Sequence, residues 1–187
     1  MPPDPAHAVT LTCHPETPTD VVRGMSARIR RNPGDRLAVS YLVNGDLDRL
    51  RVPAPRAPRL SDRLWEHTCC EIFIARKGAP GYHEYNFSPS GEWAAYAFSS
   101  YRARRADEPQ PALPRPTITV HGSSGVLELD AVISLDGFAQ PPGARLALAL
   151  SAVIEDSEGK LSYWALRHPS GKPDFHHPEA FALELLP

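Results

Sequence analysis

The stretch LWEHTCCEIFIARKGAPGYHEYNFSPSGEWAAYAFSSYR, residues Leu64 to Arg102, decides the fold and contains most of the candidate site. It holds two of the three tryptophans and four of the six tyrosines, with two histidines and two adjacent cysteines. Three of its segments, Cys69–Arg76, Tyr82–Phe87 and Glu92–Ser99, have the length and the aromatic and β-branched content typical of β-strands. Between the last two, Ser88–Gly91 (SPSG) places Pro and Gly where a tight turn needs them, which predicts a hairpin.

Strand patterns continue on both sides of this stretch. We predict strands at residues 7–13, 36–43, 47–52, 117–121, 126–134, 145–154, 161–167 and 181–186, with a hairpin turn at 44–46. Val21 to Arg31 fits helical and strand spacing alike, and we predict a strand because its neighbours are strands. No long helix is predicted and turn signals recur at short intervals. The sequence therefore predicts an all-β fold, an antiparallel two-sheet β-sandwich of the jelly-roll or immunoglobulin-like kind with ten to eleven strands.

Composition sets the broad class of the protein. A length of 187 residues fits one domain, so we predict that residues 1–187 form a single domain. The net charge of −2 provides no electrostatic footprint for nucleic acid or for an anionic membrane. No apolar run is long enough to span a membrane, no secretory leader is visible, and the three cysteines do not form a disulfide framework, so we expect a cytoplasmic protein. The 21 prolines cluster at 2–5, 53–58, 109–116 and 141–142, where we expect connections between strands.

The aromatic and polar residues are of the types that bind sugars. Sugar rings have apolar C–H faces that stack on aromatic rings, and hydroxyl edges that bond planar carboxylate, amide or guanidinium groups. On Tyr82–Phe87 the residues Tyr82, Glu84 and Asn86 share one face, which is available to line a cleft. The predicted stacking rings are Trp65, Trp93 and Trp164, and the predicted polar contacts are Glu71, Glu84, Asn86, Arg102 and Asp174. In the alternative interpretation the tryptophans belong to the core and the polar groups to the solvated surface.

Other functions remain open on the sequence alone. His83, His168 and His176 are candidate haem or metal ligands, although no histidine or cysteine spacing typical of a zinc or haem site occurs. Glu71 and Glu84 fall on neighbouring predicted strands and are a candidate acid–base pair for glycoside chemistry. A protein-interaction module, with the aromatic residues building its core, is the remaining alternative.

Three blocks of the chain resemble the DOMON-like β-sandwich superfamily. These blocks are LWEHTCCEIFI (Leu64–Ile74), YHEYNFSPSGEWAAYAFSSYR (Tyr82–Arg102) and YWALRHPSGKPDFHHPEAFAL (Tyr163–Leu183). The superfamily includes family 9 carbohydrate-binding modules and the haem-binding domains of cellobiose dehydrogenase and of ethylbenzene-dehydrogenase type proteins. The resemblance is strongest to a bacterial branch of stand-alone proteins, and it extends from about Leu37 onward.

The resemblance implies a sandwich that binds a sugar or a haem on or between its sheets, without chemistry of its own. It implies a stacking role for Trp65 and an acidic contact at Glu71, with Trp164 and Asn86 as further contacts. The haem-binding relatives use an axial Met and His or a comparable pair, whereas here Met25 is the only internal methionine and no histidine is placed by a clear motif. We therefore expect a non-catalytic protein that binds a small, carbohydrate-like ligand and needs no cofactor.

Overall fold

A computed structural model describes residues 6–105, 114–136 and 145–186, and these residues fold almost entirely into β-structure. The strands are β1 (His7–Cys13), β2 (Val22–Asn32), β3 (Arg36–Gly45), β4 (Cys69–Arg76), β5 (Tyr82–Phe87), β6 (Trp93–Ser100), β7 (Ala103–Arg104), β8 (Thr117–Ser123), β9 (Val126–Ser134), β10 (Leu146–Glu155), β11 (Leu161–Ala165) and β12 (Leu183–Leu185). Short 3₁₀ turns occur at Leu47–Arg49, Leu64–Glu66 and Pro178–Ala180. In this described portion, no helix has the length and apolar character needed to cross a membrane.

The strands pair in antiparallel fashion along one continuous path, and this path is folded into two layers. The first sheet has the order β8-β9-β3-β2-β1, and the second has the order β7-β6-β5-β4-β10-β11, with β12 paired to the first half of β10. β1 belongs to both sheets, because residues 7–11 pair with β2 while Thr12 and Cys13 pair with β11. The predicted all-β antiparallel sandwich is confirmed, with twelve strands in the described residues.

The two sheets differ in how their faces are buried. In the first sheet buried and partly exposed residues alternate, most regularly along β9, as expected for a sheet with one face in the core. In the second sheet β4, β6 and β10 are buried at almost every position. Their inner side chains join those of the first sheet in one large core, and their outer side chains form a second, smaller cluster with Leu64, Phe175 and Phe181. The outer face of the second sheet is therefore covered by chain segments rather than open to solvent.

Most of the predicted strands are present. β1, β4 and β5 have the predicted limits, and the ambiguous segment Val21–Arg31 is the strand β2, with Met25 and Ile29 in the core. The turn at Ser88–Gly91 is also present, with Gly91 at φ +89°, and it joins β5 to β6. The short strand β7 was not predicted. The proline-rich segments 109–113 and 141–142 lie outside the described residues.

The predicted hairpin at residues 44–46, with a returning strand at 47–52, is wrong. β3 continues to Gly45 and pairs with β2 on one side and β9 on the other, so neither edge is free for a returning strand. The chain instead forms the 3₁₀ turn at Leu47–Arg49 and a single bridge from Leu50 to Asp156. Gly45 is required for a different reason, since a Cβ at this position would lie 2.5 Å from the carbonyl oxygen of Val21.

Candidate ligand-binding site

A cavity of about 420 Å³ lies on the outer face of the second sheet, and its volume is within the usual range for small-molecule sites. Its floor crosses five neighbouring strands, in the order β6, β5, β4, β10 and β11. The residues that line it are Trp65, Glu71, Glu84, Tyr96, Phe98, Arg102, Arg104, Val153, Tyr163, Pro173, Phe175 and His176. They come from chain segments far apart in sequence, which the strand order brings together.

Two segments outside the sheet supply the walls. The 3₁₀ turn Leu64–Glu66 follows Arg63, which has a left-handed backbone (φ +61°) and forms an ion pair with Glu66. The turn packs Leu64 against the outer cluster and leaves Trp65 38% exposed, edge-on to Tyr96 with ring centroids 5.7 Å apart. The segment 173–176 covers another part of the floor. Two pairs of aromatic rings therefore line the cavity, Trp65 with Tyr96 and, 6.0 Å apart, Tyr163 with Phe175.

Two carboxyl groups form the polar part of the floor. Glu71 is 3% exposed and Glu84 is 5% exposed. Burial raises the pKa of Glu71 well above its usual value, and the neighbouring Glu84 raises it further. Burial also raises the pKa of Glu84, to about 7, although a hydrogen bond from Asn86 and the charges of Arg104 and Arg102 act in the opposite direction. At neutral pH the pair therefore retains at least one proton.

Arg102 and Arg104 bring positive charge to the cavity. Arg102 has a left-handed backbone (φ +53°), and its guanidinium donates to Asp174 at 2.7 Å. Asp174 also accepts a 2.6 Å hydrogen bond from the Tyr101 hydroxyl, and these bonds lower its pKa although its burial opposes the change. The Arg104 guanidinium lies 4.2 Å from the centre of the Tyr96 ring, in the geometry of a cation–π contact. Arg102 is thus fixed by an ion pair and Arg104 by an aromatic face.

His176 connects the covering segment to the floor. Its Nδ1 is 2.8 Å from the Tyr82 hydroxyl, and its Nε2 is 3.7 Å from Glu84 Oε2. The Tyr82 oxygen accepts a hydrogen bond from the Arg102 backbone N–H, so its own proton is available for Nδ1, which favours a ring proton on Nε2, facing Glu84. Burial lowers the pKa of His176 to about 4, and the charge of Arg102 lowers it as well. His176 is therefore a neutral ring at neutral pH.

The structure brings together part of the predicted residue set. Trp65, Glu71, Glu84 and Arg102 line the cavity. Asn86 and Asp174 do not line it, but they hold lining residues, since Asn86 Nδ2 donates to Glu84 Oε1 at 2.9 Å and Asp174 holds Arg102.

Trp93 and Trp164 lie in the core between the sheets, away from the cavity. Side chains alternate along a strand, so Trp93, three positions before Tyr96, faces the other side of β6, and Trp164 faces away from its neighbour Tyr163. Both tryptophans therefore belong to the core, as the alternative interpretation of the sequence proposed for them.

Sequence reasoning missed Tyr163, Phe175 and Arg104 as cavity residues. Tyr163 was open to inference from strand parity, because it is one residue from Trp164 and the two cannot share a face. Phe175 and Arg104 gave no comparable signal, since their positions depend on how a loop and a two-residue strand fold over the sheet.

The three candidate haem or metal histidines lie in three different places. His83 is on β5, on the face opposite to Glu84. His168 Nε2 donates a 2.8 Å hydrogen bond to the carbonyl oxygen of Thr12, and His176 lines the cavity. Met25 is buried in the core on β2. Within the described ranges, no group of three or more His, Cys, Asp or Glu side chains is arranged to hold a metal ion. The three candidate histidines therefore do not converge on one site within the described residues.

Comparison with known proteins gives a likeness of fold. No protein-family model matches the sequence, and a search of curated proteins also gives no match. A crystal structure of a protein from Bacteroides uniformis ATCC 8492, named as a proposed carbohydrate-binding protein, is similar with a TM-score of 0.61 at 16% identity, over 94% of this chain and 83% of that one.

A family 9 carbohydrate-binding module from Caldicellulosiruptor kristjanssonii is less similar, with a TM-score of 0.44 at 14% identity. The match covers 79% of this chain and 69% of that one in its glucose complex, and 83% and 75% in its cellotriose complex. At these identities the similarity concerns the fold alone, and it rests on the Bacteroides uniformis structure.

Proposed function

We propose that this protein binds a small carbohydrate or carbohydrate-like molecule, without converting it, in the cavity on the outer face of the second sheet. The observation that carries the proposal is the combination, in one cavity, of the half-exposed Trp65 with a floor of buried carboxyl groups. An indole left 38% exposed in a wall of the cavity gives up stabilising burial that it would gain in the core. Such a position is typical of a ring that stacks on a ligand.

The remaining lining residues suit the same class of ligand. Tyr96, Tyr163 and Phe175 add aromatic surface, and Arg102 and Glu84 add hydrogen-bonding groups whose orientations are fixed by Asp174 and Asn86. A site with fixed polar groups among aromatic walls binds a ring with apolar faces and hydroxyl edges without paying to order its own side chains. One further observation supports the proposal: the similar Bacteroides uniformis protein is named as a proposed carbohydrate-binding protein.

Calorimetric titration with a panel of monosaccharides and short oligosaccharides tests the proposal. We expect saturable binding of at least one member, and a loss of about tenfold or more in affinity in Trp65→Ala, because removal of the indole removes about 1.4 kcal/mol or more of stacking. Leu60→Ala is the matched control, since Leu60 is similarly exposed at 37% but does not line the cavity. Unsaturable binding throughout the panel, or equal affinity in Trp65→Ala and the wild type, contradicts the proposal.

A second candidate function is glycoside hydrolysis by Glu71 and Glu84. The specific observation in its favour is that both carboxyl groups line one cavity and that the pKa of Glu84 is raised to about 7, a value suited to a general acid. Turnover of aryl glycosides, abolished in both Glu71→Gln and Glu84→Gln, would establish this function. If sugars bind but no glycoside is cleaved, the protein is a binding protein only.

A further inference from the structure

Arg104 supplies the cavity with a positive charge that is available to a ligand. It is an exposed residue of β7, and it lines the cavity together with Arg102. The guanidinium of Arg102 already forms an ion pair with Asp174 at 2.7 Å. Arg104 forms neither an ion pair nor a side-chain hydrogen bond within the described ranges, and its guanidinium lies over the ring of Tyr96. The five N–H donors of this guanidinium are therefore open to an acceptor from a bound molecule.

Tyr96 holds this guanidinium in place. The Arg104 Cζ lies 4.2 Å from the centre of the Tyr96 ring, and the Tyr96 hydroxyl donates to Asp62, which does not line the cavity. Tyr96 is buried, so its ring has a fixed position. A guanidinium is a planar fork that pairs with both oxygens of one carboxylate, and less free energy is lost on binding when its position is already fixed. Arg104 is therefore suited to bind a carboxylate group.

The same tyrosine connects Arg104 to the indole that we expect to stack on the sugar. Trp65 meets the Tyr96 ring edge-on, with ring centroids 5.7 Å apart. Trp65 and Arg104 thus contact one ring, and both of them line the cavity. A single monosaccharide that stacks on the indole can therefore place a charged substituent at the guanidinium.

The carboxyl groups of the floor accommodate an anion because they can lose their charge. Burial raises the pKa of Glu71 well above its usual value, so Glu71 is protonated at neutral pH. The pKa of Glu84 is about 7, and a nearby ligand carboxylate disfavours the charged form of Glu84, which then takes up a proton. Since Arg102 is neutralised by its ion pair, the charge that remains is that of Arg104. One ligand carboxylate balances this charge, whereas a phosphate dianion exceeds it.

We propose that the cavity selects an acidic saccharide of the uronic acid type, with its ring on Trp65 and its carboxylate paired with Arg104. The inference rests on the proposed function, since it assumes that a saccharide occupies this cavity. It deepens that function by naming the class of saccharide and by assigning the preference for this class to Arg104.

The test compares glucuronate and galacturonate with glucose and galactose, their uncharged parent sugars, and with the uncharged amides of both acids. Calorimetric titration is run at about pH 7, where a uronic acid is ionised. We expect at least one uronate to bind about tenfold more tightly than its parent sugar and its amide, because only the carboxylate forms two charge-assisted hydrogen bonds with a guanidinium. Added salt should weaken the binding of the uronate and leave that of the neutral sugars almost unchanged.

Variants of Arg104 assign the preference to one residue. Arg104→Gln is expected to lower the affinity for the uronate to about that for its parent sugar. Arg104→Lys keeps the charge without the planar fork, so it should retain only part of the preference. Arg36→Gln is the matched control, because Arg36 is an exposed arginine of β3 that does not line the cavity, and its replacement changes the net charge by the same amount. This control should keep the full preference.

Proton uptake gives a second readout, which a change in packing alone would not produce. Titration at about pH 7 in two buffers of different ionisation enthalpy should show that the uronate takes up more protons than its parent sugar, by up to about half a proton on Glu84. Glu71 already carries its proton, burial holds the pKa of His176 at about 4, and Asp174 has a lowered pKa and stays charged. Glu84→Gln should therefore remove the difference in proton uptake between the uronate and its parent.

The outcomes separate the inference from the function on which it rests. If neither uronate binds more tightly than its parent sugar while some saccharide binds saturably, the inference is overturned and saccharide binding stands. A preference that persists in Arg104→Gln overturns the assignment to this residue. Glucose 6-phosphate binding more tightly than either uronate overturns the choice of a carboxylate. If no saccharide binds saturably, charged or neutral, the proposed function fails as well.

Discussion

Glu84 is a buried residue whose titration makes the stability of the fold depend on pH. In the folded protein burial raises its pKa to about 7, whereas in the unfolded chain the group has its usual pKa near 4.5. Between these two values the folded state binds more protons than the unfolded state. The free energy of unfolding therefore decreases as pH rises from about 4.5 to about 7 and changes little above that from this group. The total effect is at most roughly 3 kcal/mol.

Replacing Glu84 with Gln is expected to remove this dependence, because the amide does not titrate. Chemical denaturation at about pH 5 and pH 8 should show a smaller loss of stability with rising pH in Glu84→Gln than in the wild type. At pH 8 the variant should be more stable than the wild type. Glu71 acts in the same sense, so the slope is reduced rather than abolished.

Glu92 provides the matched control for this experiment. It is also a buried glutamate, and burial alone would raise its pKa, but hydrogen bonds from Arg59 and Ser90 outweigh burial and lower it. Glu92→Gln is therefore expected to destabilise the protein at pH 8, and this cost shrinks as pH falls through the lowered pKa. Equal pH slopes in the wild type and Glu84→Gln, or destabilisation of both variants at pH 8, contradict the assignment.

At the scale of strands, the sequence pattern predicted the positions of most strands, but it did not predict which face of the sheet each side chain lies on. The alternation in β9 and the turn at Ser88–Gly91 are local features, and both were predicted. β4, β6 and β10 are buried on both faces, so their patterns do not say which face meets the other sheet. For this reason Trp93 was expected at the site and lies in the core. The same parity argument places Tyr96 correctly once Glu84 is known to face outward, since the two residues are paired directly.

Gly45 and Gly24 provide a test of the strand arrangement at the end of β3. A Cβ on Gly45 would meet the Val21 carbonyl oxygen at 2.5 Å, whereas a Cβ on Gly24 has no heavy atom within 4 Å. We expect Gly45→Ala to destabilise the protein by about 2 kcal/mol or more, because the backbone has to move. Gly24→Ala should be neutral or stabilising by up to about 1 kcal/mol, through its effect on the unfolded chain. Thermal and denaturant unfolding measure both. A neutral Gly45→Ala would contradict the close approach of the two backbones.

At the scale of the molecule, the site depends on contacts that no local pattern encodes. The cavity combines residues 65–104 with residues 153–176, because β4 pairs with β10 and β10 pairs with β11. The aromatic and polar composition of these two stretches identified them as the candidate site, and the structure places both at one cavity. The pairing of β4 with β10 is set by the global packing, so the sequence could not show that Glu71 has Ser151 on one side and Asn86 on the other.

A hydrogen bond links the first sheet to β4, the strand that carries Glu71. The hydroxyl of Tyr41 on β3 donates to the backbone carbonyl of Glu71 on β4 at 2.6 Å, and Tyr41 is fully buried. Removal of this hydroxyl in Tyr41→Phe is expected to lower the free energy of unfolding by about 1 kcal/mol. Ligand affinity should stay within about twofold of the wild type, because ladder hydrogen bonds to β5 and β10 hold β4 on both sides.

Tyr85→Phe is the comparison for this variant, since the Tyr85 hydroxyl donates to the Pro114 carbonyl at 3.0 Å, away from Glu71. Denaturant unfolding and calorimetric titration of both variants separate stability from binding. Similar losses of stability with unchanged affinity would show that the first sheet supports the fold and that the second sheet alone positions the site. A tenfold loss of affinity confined to Tyr41→Phe would instead show that the position of Glu71 is set across the sandwich, and would contradict a site that the ladder of the second sheet holds by itself.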